Sequence, residues 1–153
     1  MNKNSLKNIA TQVIDLEINA LKILKKSINK NFDKAVNTIV NCQSKIILCG
    51  VGKSGLIAAK IASTLSSVGS PAFSLSANDC LHGDLGSITR KDILILISNS
   101  GKSEEIIPII KFANRNKIKL IGIVSKKNSF LYKGSDIKIL LPEVKESGLG
   151  VVP

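Results

Sequence analysis

Two segments of this chain carry residue types suited to holding an anion. The first in interest is Ser98-Asn99-Ser100-Gly101-Lys102-Ser103-Glu104-Glu105, which sets three hydroxyls and a glycine directly before a stretch of helical periodicity. Serine hydroxyls and the open N–H groups of a helix's first turn all donate to an anion, and the helix dipole adds to the attraction, so the ligand fragment expected here is a phosphate. A plainer role is also open, in which Ser103 caps the helix and Glu105 lies in its first turn. One cap does not need three serines.

The second segment is Gly50-Val51-Gly52-Lys53-Ser54-Gly55, whose glycines permit positive φ and close backbone approach to a ligand. A P-loop needs four residues between its first Gly and the Gly-Lys-Ser/Thr, whereas Gly50 is followed by one residue before Gly52. The dinucleotide pattern G-x-G-x-x-G is met by Gly50, Gly52 and Gly55, and a ligand-free strand-to-helix turn is the third possibility. Between the two segments, Leu81-His82-Gly83-Asp84-Leu85-Gly86 holds the chain's one histidine, beside an Asp able to fix its tautomer. Glu143 and Glu146 follow the last apolar run and, taken alone, read as surface residues.

The elements that must position these residues are legible from periodicity. Leu6, Ile9, Val13, Leu16, Ala20, Ile23, Leu24 and Ile28 recur at spacings of three and four, predicting a long amphipathic helix over 5–30 with Ser5 as its N-cap. A second helix is expected over 33–40. Short β-branched runs at 45–49, 71–75, 92–97, 119–124 and 136–140 predict five strands, three of them almost continuously apolar as in a parallel sheet covered on both faces. Helices are expected between them at 54–68, 103–116 and 129–133. This alternation predicts a doubly wound α/β fold, a five-stranded, mainly parallel, flavodoxin-like sheet flanked by helices, with ligands at the carboxyl ends of the strands.

Composition narrows the function. Length, at 153 residues with 44% hydrophobic and 22% charged, is that of one packed domain. Lys and Arg number 22 against 11 Asp and Glu, for a net charge of +11, but the basic residues are spread along the chain and aromatics are 3%. Nucleic-acid binders concentrate basic residues and add stacking groups, so attraction for small anions is the better account. Cys42, Cys49 and Cys80 form no C-x-x-C pair and have one His to join them, which argues against a zinc site or a disulfide framework. The longest apolar runs fall short of a membrane span, no signal peptide is evident, and a reducing, cytoplasmic setting is expected.

Taken in order, GVGKSG, HGDLG, SNSGKSEE and the terminal KESGLGVVP resemble the sugar isomerase (SIS) domain family, and within it the arabinose 5-phosphate isomerase branch that serves the Kdo pathway of lipopolysaccharide synthesis. The resemblance spans essentially the whole chain. It implies a single SIS domain over 1–153, with a helical arm at 1–40 and an α/β core at 41–153. It further implies interconversion of D-ribulose 5-phosphate and D-arabinose 5-phosphate through an enediol, without a cofactor or metal, in a dimer or tetramer. Carried over by motif, Lys53, Glu105, Glu146 and His82 are the catalytic candidates, and Gly52, Ser54, Ser98, Ser100 and Ser103 hold the phosphosugar. Family members usually have Glu where this chain has Lys102, and commonly Glu at Asp79. They also continue past the position of Pro153 with a Thr/Ser-rich segment, a covering helix, a further histidine and often a CBS pair, so an incomplete catalytic unit with part of one sheet face bare is the expectation. Two other functions fit parts of the pattern: a phosphosugar-sensing module without catalysis, and a nucleotide-binding domain. The latter would want an acidic residue ending the second strand, where Ser74-Leu75-Ser76 stands.

Overall fold

Runs of isoleucine and leucine too apolar to leave either face in water become the middle of a parallel sheet. The computed structural model describes residues 3–144. They fall in two compact units, one of residues up to Ile28 together with those from Pro142, the other of Asn29–Leu141. In the first unit, α1 (Lys3–Ser27) ends on Lys25 and Lys26, which suit the negative end of its dipole. Because the helix is already running at Lys3, Ser5 lies inside its first turns and is not the cap expected from the sequence.

The second unit begins with α2 (Lys30–Val40), whose cap is Asn29: its side-chain oxygen accepts from the Asn31 N–H at 2.9 Å, starting the helix three residues before the apolar pattern does. Then follow β1 (Ile46–Gly50), α3 (Lys53–Ser67), β2 (Ala72–Ser76), a single turn α4 (Ala77–Cys80), a 3-10 turn at Asp84–Ser87, β3 (Ile93–Ile97), α5 (Ile106–Arg115), β4 (Lys119–Val124), α6 (Phe130–Gly134) and β5 (Ile137–Leu140). All pairings are parallel, in the order β2-β1-β3-β4-β5. The strands lie within a residue or two of the expected runs. α4 and the 3-10 turn are additions that periodicity did not announce, since neither is long enough to show a period.

Every residue of β1 and β3 is buried. Alternate positions serve opposite faces. Ile46, Leu48, Ile93, Ile95, Ile97 and Ile121 pack with Ala35 of α2 and with Ala58 and Ala62 of α3. Ile47, Leu94, Leu96, Leu120 and Val124 pack with Ile106, Ile109 and Ala113 of α5 and Leu131 of α6. β5 is half-buried along its length.

The amino ends of β1 and β3 are locked by one buried carboxylate. Asp92, 1% exposed, accepts from Ser44 Oγ at 2.6 Å, Lys45 Nζ at 2.9 Å, Thr89 N at 2.6 Å and Thr89 Oγ1 at 2.9 Å, with Lys45 N at 3.4 Å. Although burial opposes ionisation, the hydrogen bonds from Ser44, Thr89 and Lys45 hold this carboxyl well below the usual carboxylate range. The clamp fixes the register that carries Gly50 beside Ile97 at the other end of the same strands.

Candidate functional site

In this strand order β1 connects onward to β2 on one side, while β3 connects to β4 on the other. The switch point therefore lies between β1 and β3, where the loops after the two strands diverge and leave a crevice. With Gly50 paired to Ile97, the segments 51–53 and 98–105 open side by side. Both lead into helices, α3 and α5, whose positive ends face that edge.

The first loop is shaped by glycine. Gly52 has φ +55°, a left-handed conformation that glycine adopts without strain. Gly50 and Gly55 permit a close approach: a Cβ on Gly50 would come within 2.7 Å of the Ser54 carbonyl carbon, and one on Gly55 within 2.9 Å of the Gly50 oxygen. The end of β1 therefore presses on the first turn of α3 with no ligand needed to explain those two glycines. Lys53, exposed, is the first residue of α3, an unfavourable place for a cation unless a negative group is near. The Ser54 hydroxyl has no hydrogen-bond partner among the described residues.

The second loop is tied together internally and from one side. The buried Ser98 Oγ accepts from the Gly101 N–H at 3.0 Å, and Ser100 Oγ from the Lys102 N–H at 3.3 Å. Gly101, φ +62°, lies against Ser129 and Val124 so closely that a Cβ would collide with both. Ser103 does not cap α5. Its carbonyl accepts from Ile106 N at 3.2 Å, the cap is Glu105, and that side chain makes no capping bond. The hydroxyl of Ser103 is left without a partner among the described residues.

A pattern emerges across the core helices. Those off the crevice have side-chain caps, from Asn29 on α2, Ser76 on α4 and Ser129 on α6. The two that open on it, α3 and α5, have none, and neither has an acidic residue in its first turn. Their N–H groups are left for an external acceptor, which is what a phosphate site requires.

The other candidates are distributed less evenly. His82 is exposed in the loop after β2, the other neighbour of β1. Its backbone N–H donates to Asp79 O at 2.9 Å, but its ring has no hydrogen-bond partner among the described residues, so Asp84 does not fix its tautomer. Glu105 is half-buried at the start of α5. Glu143 is exposed, and Glu146 lies outside the described residues. Cys49, just before Gly50, is buried against Cys80 of α4. A hydrogen bond to Cys80, together with burial, pushes its thiol up, so at neutral pH it packs rather than reacts. No group of three or more His, Cys, Asp and Glu is gathered as for a metal ion among the described residues.

Sequence reasoning passed over Asn99 and Ser125. Ser125 ends the β4 run as Ser98 ends the β3 run, and that equivalence was the available signal. Ser125 Oγ donates to Asn99 Oδ1 at 2.6 Å, and its N–H to Asn99 O at 3.1 Å.

Residues 39–152 match the SIS domain family. This chain belongs to that family. The SIS domain is 40% identical over 149 residues to an uncharacterised protein of Rickettsia prowazekii, covering 97% of this chain and 47% of that one. It is 41% identical over 143 residues to the arabinose 5-phosphate isomerase KdsD of Yersinia pestis, covering 93% and 44%. It spans less than half the length of these relatives. Among solved structures, a protein of E. coli CFT073 in complex with arabinose 5-phosphate superposes with a TM-score of 0.93 at 32% identity, covering 100% of this chain and 82% of that one. Within this SIS domain, no helix among the described residues is long and apolar enough to cross a membrane.

Proposed function

We propose that this SIS domain binds a pentose 5-phosphate and takes part in interconverting D-ribulose 5-phosphate and D-arabinose 5-phosphate. The observation that carries this reading is the pair of uncapped helix ends at the β1/β3 switch point, with unpartnered hydroxyls on Ser54 and Ser103 among the described residues. Gly52, Ser54, Ser98, Ser100 and Ser103 supply the phosphate subsite. The similarity to KdsD and to the E. coli CFT073 protein bound to arabinose 5-phosphate supports the sugar and the reaction.

Chemically, an aldose becomes a ketose when a base removes the C2 proton and returns it at C1, while charge on the carbonyl oxygen is stabilised as an enediolate forms. Lys53 is assigned to the oxygens, and Glu105, Glu146 and His82 are the candidates for proton transfer. The wider setting proposed is the cytoplasmic supply of Kdo for lipopolysaccharide. A homo-oligomer is proposed as the working form, because Phe32, Val36 and Val40 make an exposed apolar stripe on α2, at spacings of four.

Titration calorimetry with arabinose 5-phosphate, together with an NMR assay for ribulose 5-phosphate, tests the reading. Ser100→Ala and Ser103→Ala should each weaken binding by about 1–2 kcal/mol, the range for a hydrogen bond to a charged group. Binding without turnover would leave a phosphosugar-binding module. No heat with the sugar phosphate would refute the site.

A further inference from the structure

The serine loop is held from outside by the strand that follows it. Beyond the end of the sheet ladder, where Ser98 N donates to Ile123 O at 3.1 Å, Ser125 makes two bonds to Asn99, the residue between the two loop serines. The side-chain bond, at 2.6 Å, lies in the O–H···O range and is shorter than amide N–H···O bonds run, which assigns the oxygen of the carboxamide to Ser125. Further along, Leu131 N donates to Gly101 O at 3.1 Å. Asn99 is exposed, so neither packing nor burial holds it; its tie to Ser125 does.

We propose that Ser125 is a positioning residue for the phosphate subsite, acting through Asn99 to fix the loop in its binding shape before the ligand arrives. This rests on the phosphosugar reading above. A loop pinned on both sides of Ser100 loses less freedom when it closes on an anion, and that saving appears as affinity. The hydroxyl of Ser125 does not touch the ligand. Its effect should therefore vanish when Asn99 can no longer accept its bond.

The test is a double-mutant cycle read by calorimetry with arabinose 5-phosphate, well below the melting temperature. Ser125→Ala and Asn99→Ala should each weaken binding about three- to tenfold, the double variant should be no weaker than the worse single one, and Ser125→Thr, which keeps the hydroxyl, should bind as the parent does. In any turnover assay the change should fall on KM with kcat nearly unaltered. Unchanged affinity in Ser125→Ala, losses that multiply in the double variant, or a lowered melting temperature with affinity intact would each overturn the assignment while leaving the phosphosugar reading standing. A parent chain that gives no heat would overturn both.

Discussion

Replacing Asp92 by Asn removes one charge from a site 1% exposed while preserving its shape. The amide oxygen can stay with Ser44 Oγ and Lys45 N. The amide nitrogen is then turned toward Thr89 N, Thr89 Oγ1 and Lys45 Nζ, three groups that now donate to Oδ2. Lys45 is 34% exposed and can turn to water, so its share is small, but the Thr89 N–H at 2.6 Å cannot move away. Losing the charge from a buried, hydrogen-bonded pair costs about 3–5 kcal/mol, against a total stability of about 5–15 kcal/mol for a domain of this kind. Urea unfolding followed by circular dichroism should show the midpoint fall with the slope unchanged. The pH dependence has a definite sign. Because the folded-state pKa is depressed, the carboxylate's contribution is complete above the unfolded value of about 3.9 and is lost as pH falls through the folded one. Asp92→Asn should remove that part of the acid sensitivity. A variant with the parent's urea midpoint and the parent's acid transition would show that the clamp contributes nothing.

Other perturbations separate loop geometry from chemistry. Gly101→Ala should destabilise by about 2–4 kcal/mol, from positive φ and overpacking against Ser129 and Val124, and should weaken phosphosugar binding as the loop shifts, read by thermal melting and calorimetry together. Lys53→Ala should leave the melting temperature within a degree or two and abolish most isomerase turnover; stability lost with turnover kept would make Lys53 structural. Val36→Lys with Val40→Lys on α2 should shift sedimentation at micromolar concentration toward monomer, and an unchanged distribution would remove that stripe from the interface.

The strands and their layering were legible because burial on both faces writes a continuous apolar run, and DILILI can do little else than fill a central strand. The two ligand loops were legible because Gly, Ser and Lys clustered at strand ends. Caps were read less well. Asn29 and the non-capping role of Ser103 follow from backbone geometry: Gly101 turns the chain left-handed and postpones α5 to Ile106, which no hydropathy pattern records. Asp92 was counted as the start of a strand, since nothing in its neighbours reveals that five donors from three residues converge on it. Long-range ties such as Ser125 to Asn99 join residues 26 apart and need the β3–β4 register before they can be drawn.

The two edges of this sheet divide the work. At the amino edge polar groups are satisfied within the chain: Asp92 gathers Ser44, Lys45 and Thr89, and Asp136 accepts from Leu120 N at 2.8 Å while facing Lys119 Nζ at 3.6 Å. At the carboxyl edge the chain leaves donors open, on Ser54, on Ser103 and at the first turns of α3 and α5. Such open donors contribute nothing to folding, and a lysine at the start of α3 works against it. A fold selected for stability alone would have capped both helices, as it capped α2, α4 and α6. That the two exceptions flank the one crevice created by the strand order is best explained by an anion that completes them, and the rigid β1–β3 register set at the amino edge is what keeps the two half-sites at a fixed separation for it.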